Sequence, residues 1–295
     1  MNWWKNLKGR VRFREPLKKH TTFKIGGPAK FFIEPKDIAD LKLLLELLNG
    51  RGLPVFVIGA GSNILASDKG INAVVVKLNS SCFRKIDFQG KYFNAAAGCL
   101  LNRIIADFKN KGISAFEVFA GIPGTVGGAL LMNAGAAGKN IGDLVEQVTV
   151  IDYNGRIRLF KRKDIKFTYR GCGLLSRYIV LSASFRFSRK KKEAIEAVIQ
   201  GRLNWRRDKQ ELSLPSAGCA FKNPSETVPA GQLIDLCGLK GKRIGDAGVS
   251  AKHANFILNL GSANAKDVSM LMRLIMRRVK NKFNIDLQPE IRIWR

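Results

Sequence analysis

Three stretches of this chain combine residue types that can move a proton or hold an anion. Ser216-Ala217-Gly218-Cys219-Ala220-Phe221-Lys222-Asn223-Pro224 gathers a thiol, an ammonium and a carboxamide in a turn-rich segment. A cysteine alone is most often a small buried apolar residue. The only histidines are His20 and His253, neither near Cys219 in sequence, so an imidazole-activated cysteine nucleophile is not supported. Glu290, in Gln288-Pro289-Glu290-Ile291, is an acid inside an apolar strand pattern. It is either a solvated edge carboxylate or a partly buried one held for chemistry.

Anion binding is suggested by glycine. Gly59-Ala60-Gly61-Ser62-Asn63-Ile64 follows the short apolar run Val55–Ile58, and Gly121-Ile122-Pro123-Gly124-Thr125-Val126-Gly127-Gly128 comes some sixty positions later. Backbone without side chains lets successive amides approach and bond an anion such as a pyrophosphate. Both clusters read equally as tight turns or close packing, and the first lacks the Gly-Lys-Ser/Thr of a P-loop and the spacing of a Rossmann fingerprint. Two such clusters suit a ligand that is long and phosphorylated.

These residues have to be placed by regular elements. Asp37 caps a helix in which Ile38, Leu41, Leu44, Leu45 and Leu48 share a face, with Gly50 and Gly52 ending it. Strands are expected at 71–78, 92–97 and 179–187, and a helix at 100–111. Val145–Tyr153 and Ile157–Phe160 flank Asn154-Gly155, a two-residue hairpin signal. A basic run at 189–192 opens a helix to about 207 with Ile195, Val198, Ile199 and Leu203 as its apolar stripe. This shift in composition marks a domain boundary. Helices at 230–237 and 265–283 follow, the latter with Val268, Leu271, Leu274, Ile275 and Val279 inward, together with strands at 254–258 and 285–294.

With 295 residues, 46% hydrophobic and 25% charged, the chain has material for two or three cores and no compositional case for disorder. Lys plus Arg is 51 against 23 Asp plus Glu, a net charge of +28 that favours anionic partners. Five cysteines without a CxxC pair argue against a disulfide framework or thiolate zinc site and fit a reducing cytoplasm. The stretch from Met1 to His20 holds Trp3, Trp4 and seven Lys or Arg but no apolar core, so it is not a signal peptide. The uncharged stretch 118–138 contains six glycines and Pro123, a poor lipid-facing helix, so the chain reads as soluble.

In order, Thr22-Phe23-Lys24-Ile25-Gly26-Gly27-Pro28-Ala29, the glycine run at 59–65, the second run at 121–130 with Asn133-Ala134-Gly135-Ala136, Tyr169-Arg170, the segment 217–224 and Pro289-Glu290 resemble the UDP-N-acetylenolpyruvoylglucosamine reductases of bacterial peptidoglycan synthesis. The likeness runs from about 20 to 292. It implies an α+β flavoprotein with a two-lobe FAD-binding domain of the PCMH/vanillyl-alcohol-oxidase type (lobes 1–78 and 79–188) and a C-terminal α+β substrate-binding domain, 189–295. NADPH would reduce FAD, and the flavin would pass hydride to an enolpyruvyl double bond, giving UDP-N-acetylmuramate. A monomer with no metal and no membrane insertion is expected.

The resemblance also implies roles. Arg170 and Glu290 would stabilise the charge left by hydride addition. Cys219 would supply the proton, in a position where the family has serine. A free thiol, with a pKa of about 8.5, is far more acidic than an alcohol, so donation is chemically reasonable. FAD would be held by Gly59, Ala60, Gly61, Ser62, Asn63, Ile64, Gly121, Ile122, Pro123, Gly124, Thr125, Gly127, Gly128 and Asn133. Tyr169, Lys209, Asn223, Gln232 and His253 would contact the substrate, although Glu211 stands where the family has proline after the lysine. The short span from Tyr169 to Arg177 resembles the branch that lacks an extra tyrosine-bearing lid. Two other readings are another FAD-dependent oxidoreductase of the same fold, and a basic nucleic-acid-binding protein, for which no zinc-finger, RNP or helix-turn-helix signature is present.

Overall fold

The computed structural model describes residues 2–295; Met1, first residue of the basic N-terminal stretch, lies outside them. Two compact units emerge. One comprises the described residues up to Phe13 with Phe31–Ala60 and Ala73–Asn204, the other Arg14–Lys30, Gly61–Asn72 and Trp205–Arg295. Helices and strands are mixed in each, as the expected α+β class requires.

In the first unit a five-stranded antiparallel sheet runs in the order Ile157–Lys161, Val145–Ile151, Ile179–Arg186, Tyr92–Ala96, Ile86–Gln89. Alternation along Ile179–Arg186 sends Leu181, Ala183 and Phe185 into the core, with Ser182, Ser184 and Arg186 turned the other way. Helix α1, Ile38–Leu48, begins where the Asp37 carboxylate accepts the Asp40 N–H at 2.8 Å, and it buries Leu41, Leu44, Leu45 and Leu48. Each such leucine stabilises the fold by about 1.5–3 kcal/mol. Helix α2, Leu101–Asn110, buries Leu101, Ile104, Ile105 and Phe108 at helical spacing. Phe108 joins Phe93, Phe116 and Phe185 in an edge-to-face ring cluster beneath the sheet. Helix α3, Val126–Leu131, is short, with Thr125 as its N-cap.

The second unit holds a four-stranded antiparallel sheet ordered Ser216–Cys219, Phe256–Asn259, Ala247–Val249, Arg243–Ile244. Helix α4, Lys192–Lys209, precedes it in the chain, and α5, Ala230–Leu236, and α6, Ala265–Phe283, supply its apolar cover. Within this unit Ile64–Ala66 pairs in parallel with Arg292–Trp294. No helix of the described residues is long and apolar enough to cross a membrane, and all five cysteines are free thiols.

Several elements differ from the sequence expectation. The Asn154-Gly155 hairpin has a three-residue loop, because Asp152 N–H bonds the Arg156 carbonyl and Gly155, left-handed at φ +80°, closes a turn on Asp152. Helix α4 buries only Ile195 and Ile199; Val198 and Leu203 are each 38% exposed. In α6 Met272 is buried where Leu274 was expected to be. The strand expected at 254–258 starts at Phe256, since Phe256 N–H closes a turn on the His253 carbonyl at 2.8 Å. The final strand is only Arg292–Trp294; Pro289 has no N–H to extend a ladder and makes a single bridge to Phe221.

Candidate functional sites in the two units

The first unit contains a cavity of about 690 Å³. Its floor is formed by the end of the strand Val55–Val57 with Gly59 and Ala60, by Ala97-Gly98-Cys99-Leu100 before α2, and by Thr125, Gly127 and Gly128 at the start of α3. The two glycine clusters meet here. A Cβ built on Gly59 would sit 2.5 Å from Thr125 Oγ1, so only glycine allows this approach. Thr125 Oγ1 also accepts the Gly128 N–H at 3.3 Å.

Not every amide in these runs is open to a ligand. Val126 and Gly127 donate to the carbonyls of Cys99 and Ala97, each at 2.9 Å, so part of the second cluster is spent on packing. Among the described residues, no protein acceptor meets the Gly59 and Ala60 N–H groups. Lys77, Arg84 and Arg103 line the same cavity against one acid, Asp107. Burial pushes the Lys77 ammonium pKa down, opposed by the Glu34 carboxylate and reinforced by Arg12. A cation that has lost water is stabilised by an anionic ligand. Open amides, excess positive charge and a cavity of this size fit a diphosphate-linked dinucleotide such as FAD. Gly121 to Gly124 and Asn133 do not line it. The Asn133 side chain donates to the Thr168 carbonyl at 3.0 Å and accepts from Gly142 N–H at 3.2 Å. It thereby anchors the small hairpin Phe167–Thr168/Gly171–Cys172, whose turn carries Tyr169 and Arg170. Arg170 is left-handed at φ +55°, its guanidinium 5.5 Å from the Tyr169 ring centroid.

In the second unit the segment after Cys219 lies between two neighbours. On one side, Ala220 N–H bonds the Asn255 carbonyl at 2.7 Å. On the other, Glu290 N–H bonds the Ala220 carbonyl at 2.8 Å and Lys222 N–H the Gln288 carbonyl at 2.9 Å. Ala220, the residue after Cys219, is therefore paired with Glu290 although the two are 70 positions apart in sequence. Asn63 belongs to the same arrangement: its amide donates to the Glu290 carbonyl at 3.1 Å, and its own carbonyl accepts from Arg292. Gly61 is left-handed at φ +67°, and a Cβ there would meet the His20 carbonyl oxygen.

The remaining expected residues are more dispersed. Asn223 Oδ1 accepts the Ala230 N–H at 3.1 Å and so steadies the start of α5. Gln232 and Lys209 are exposed on α5 and at the end of α4. His253 packs on Phe256 with ring centroids 4.9 Å apart, and its Nδ1 accepts the Asn255 N–H at 3.3 Å. Burial, helped by the Lys240 charge, holds its pKa below the ordinary value. Residues not foreseen from the sequence are Lys77, Arg84 and Arg103 in the cavity and Asn255 near Cys219. Asn255, a polar residue inside the apolar run Ala254–Leu258, was the available signal, because a buried carboxamide must find partners.

An FAD binding domain model matches residues 29–173, and the C-terminal domain of UDP-N-acetylenolpyruvoylglucosamine reductase matches 210–294. The chain is 42% identical over 286 residues to the UDP-N-acetylenolpyruvoylglucosamine reductase of Caldanaerobacter subterraneus subsp. tengcongensis, covering 97% of this chain and 94% of that one. It is 40% identical over 287 residues to UDP-N-acetylenolpyruvoylglucosamine reductase 2 of Symbiobacterium thermophilum, covering 97% and 92%. The crystal structure of UDP-N-acetylenolpyruvylglucosamine reductase from Thermus caldophilus superposes with a TM-score of 0.84 at 36% identity, covering 97% of this chain and all of that one. Matches of this length and coverage, together with the dinucleotide-sized cavity, make the chain a member of the UDP-N-acetylenolpyruvoylglucosamine reductase family, an FAD-containing oxidoreductase.

Proposed function

We propose that the chain reduces UDP-N-acetylglucosamine enolpyruvate to UDP-N-acetylmuramate at the expense of NADPH, a step of peptidoglycan synthesis. Gly59, Ala60, Thr125, Gly127 and Gly128 would hold FAD, which when bound would supply the hydride chemistry between NADPH and C3 of the enolpyruvyl group. The chain's residues do the rest. Arg170 supplies a fixed cation, and Glu290, as a carboxylic acid, a hydrogen bond to the negative charge that develops over C2 and the adjacent carboxylate. The Cys219 thiol then gives its proton to C2: the S–H bond breaks, the C–H bond forms, and solvent restores the thiol. Tyr169, Lys209, Asn223, Gln232 and His253 contact the substrate in this reading. Residues 1–78 and 79–188 serve as the two FAD lobes and 189–295 as the substrate domain.

The observation that carries this reading is the backbone pairing that joins the Cys219 segment to Glu290, in a chain that matches reductases along 97% of its length. The test is anaerobic stopped-flow on the purified protein. The flavin band is expected to bleach with NADPH and to return when the enolpyruvyl sugar is added. A protein without flavin, or a bleached flavin that this substrate does not reoxidise, overturns the proposal.

A further inference from the structure

We propose that Asn255 is a positioning residue for proton delivery: its carboxamide fixes the backbone that carries the Cys219 thiol. The inference rests on the reading of Cys219 as proton donor. The strand Ser216–Cys219 pairs with Phe256–Asn259 only at Ser216 opposite Leu258 and Cys219 opposite Phe256, with an irregularity between. Gly218, inside that irregularity, is left-handed at φ +75°. The thiol thus follows a break in the ladder, and regular pairing on its N-terminal side does not hold it.

Beyond the pairing of Cys219 with Phe256, a further hold lies on the C-terminal side. Asn255 Oδ1 accepts the Phe221 N–H at 2.9 Å, and Asn255 Nδ2 donates to the Phe221 carbonyl at 2.8 Å. One side chain takes the place of a backbone partner for both polar groups of Phe221. Asn255 is 2% exposed and Phe221 1%, so water does not compete for these bonds. The Asn255 carbonyl binds Ala220 N–H as well, giving three bonds from one residue to the two positions after Cys219. The Ala220 bonds to Asn255 and Glu290 are backbone bonds that remain when the side chain is changed, so loss of the carboxamide frees Phe221, which bridges Pro289 next to Glu290 and lies two residues from the thiol.

The test uses the flavin-loaded protein with Asn255→Ala, Asn255→Asp and Cys219→Ala. Asn255→Ala should slow reoxidation by the enolpyruvyl sugar by roughly tenfold to a hundredfold, the loss expected for about 1 Å of misplacement, while NADPH bleaches the flavin at the wild-type rate. Asn255→Asp keeps both bonds only while its carboxyl is protonated and sets a negative charge against the Phe221 carbonyl once ionised, so its reoxidation rate should approach wild type at low pH and fall to that of alanine or below at high pH. It also serves if the alanine variant does not fold. Adding Asn255→Ala to Cys219→Ala should slow reoxidation no further, since the group being positioned is gone. Peptide-resolved iodoacetamide labelling gives a readout independent of turnover: Cys219 should change its reactivity in the Asn255 variants while Cys82 does not. A reoxidised wild type with an equally fast Asn255→Ala, or losses that multiply in full in the double variant, overturns this inference alone. A wild type that the substrate fails to reoxidise overturns the proposed reaction instead.

Discussion

Replacing Gly59 by alanine tests whether the two glycine clusters build one cofactor cradle. Gly59 does not occupy the left-handed region, so the substitution is judged on space alone. The new Cβ would lie 2.5 Å from Thr125 Oγ1 and 3.5 Å from Thr125 Cβ and Cγ2. Reaching ordinary contact of roughly 3.5 Å requires about 1 Å of movement, either of the strand end or of Thr125. Thr125 is not free to turn, because its hydroxyl caps α3 through Gly128. Overpacking of this kind costs about 1–3 kcal/mol. For 295 residues, at about 2.1 cal/mol/K of unfolding entropy each, that lowers the apoprotein melting temperature by roughly 2 to 5 °C. Where the same displacement opens the cradle, FAD binds roughly fivefold to a hundredfold more weakly. Thermal melts and fluorescence titration of the apoprotein with FAD read both quantities. Thr125→Ala alone should cost about 1 kcal/mol for the lost cap. In that background the alanine at 59 should cost almost nothing more, a coupling of about 1–3 kcal/mol. Additive losses, or a Gly59→Ala protein with wild-type melting and affinity, would show that the contact does not shape the cradle.

Three further outcomes follow from individual groups. Cys219→Ser should keep most of the reoxidation rate, whereas Cys219→Ala should lose roughly 10²- to 10⁴-fold of it; equal turnover of alanine and wild type refutes the proton-donor role. Because burial holds His253 below its ordinary 6.5, the unfolded chain binds that proton more readily. The stabilisation is present above 6.5 and is lost as pH falls below it, so wild type should lose more thermal stability than His253→Gln between about pH 7.5 and 5.5. Parallel curves for the two proteins would remove His253 from the account. Cys99, whose thiol donates to the Lys85 carbonyl at 3.4 Å, has its pKa pushed up to about 11 by burial. At pH 8 it should resist iodoacetamide while Cys82 reacts, and labelling of both at one rate would contradict the burial assigned to it.

Elements whose signal is local were legible in the sequence. The Asp37 cap and the leucine spacing of α1 mark a helix without reference to the rest of the chain, because the cap bond spans three residues and the buried face repeats every turn. The stripe assigned to α4 was only half right, since periodicity marks a face but not how much of it another element covers. The last strand was overextended because apolar alternation does not reveal that Pro289 interrupts hydrogen bonding or that Gln288–Glu290 pairs with the segment after Cys219.

By itself, the sequence determined that two glycine runs end buried segments, that the chain is strongly basic, and that its motifs follow the order of a reductase family. Those properties are carried by residue type and spacing, which survive without coordinates. Only the tertiary structure decided which glycine amides remain open, that Gly59 leans on Thr125, that Asn133 secures a hairpin outside the cavity, and that Asn63 and Asn255 flank the Ala220–Glu290 pairing. These depend on hydrogen bonds between residues up to 227 positions apart, and whether a polar group is spent on packing or left for a ligand is set by which distant partner reaches it first.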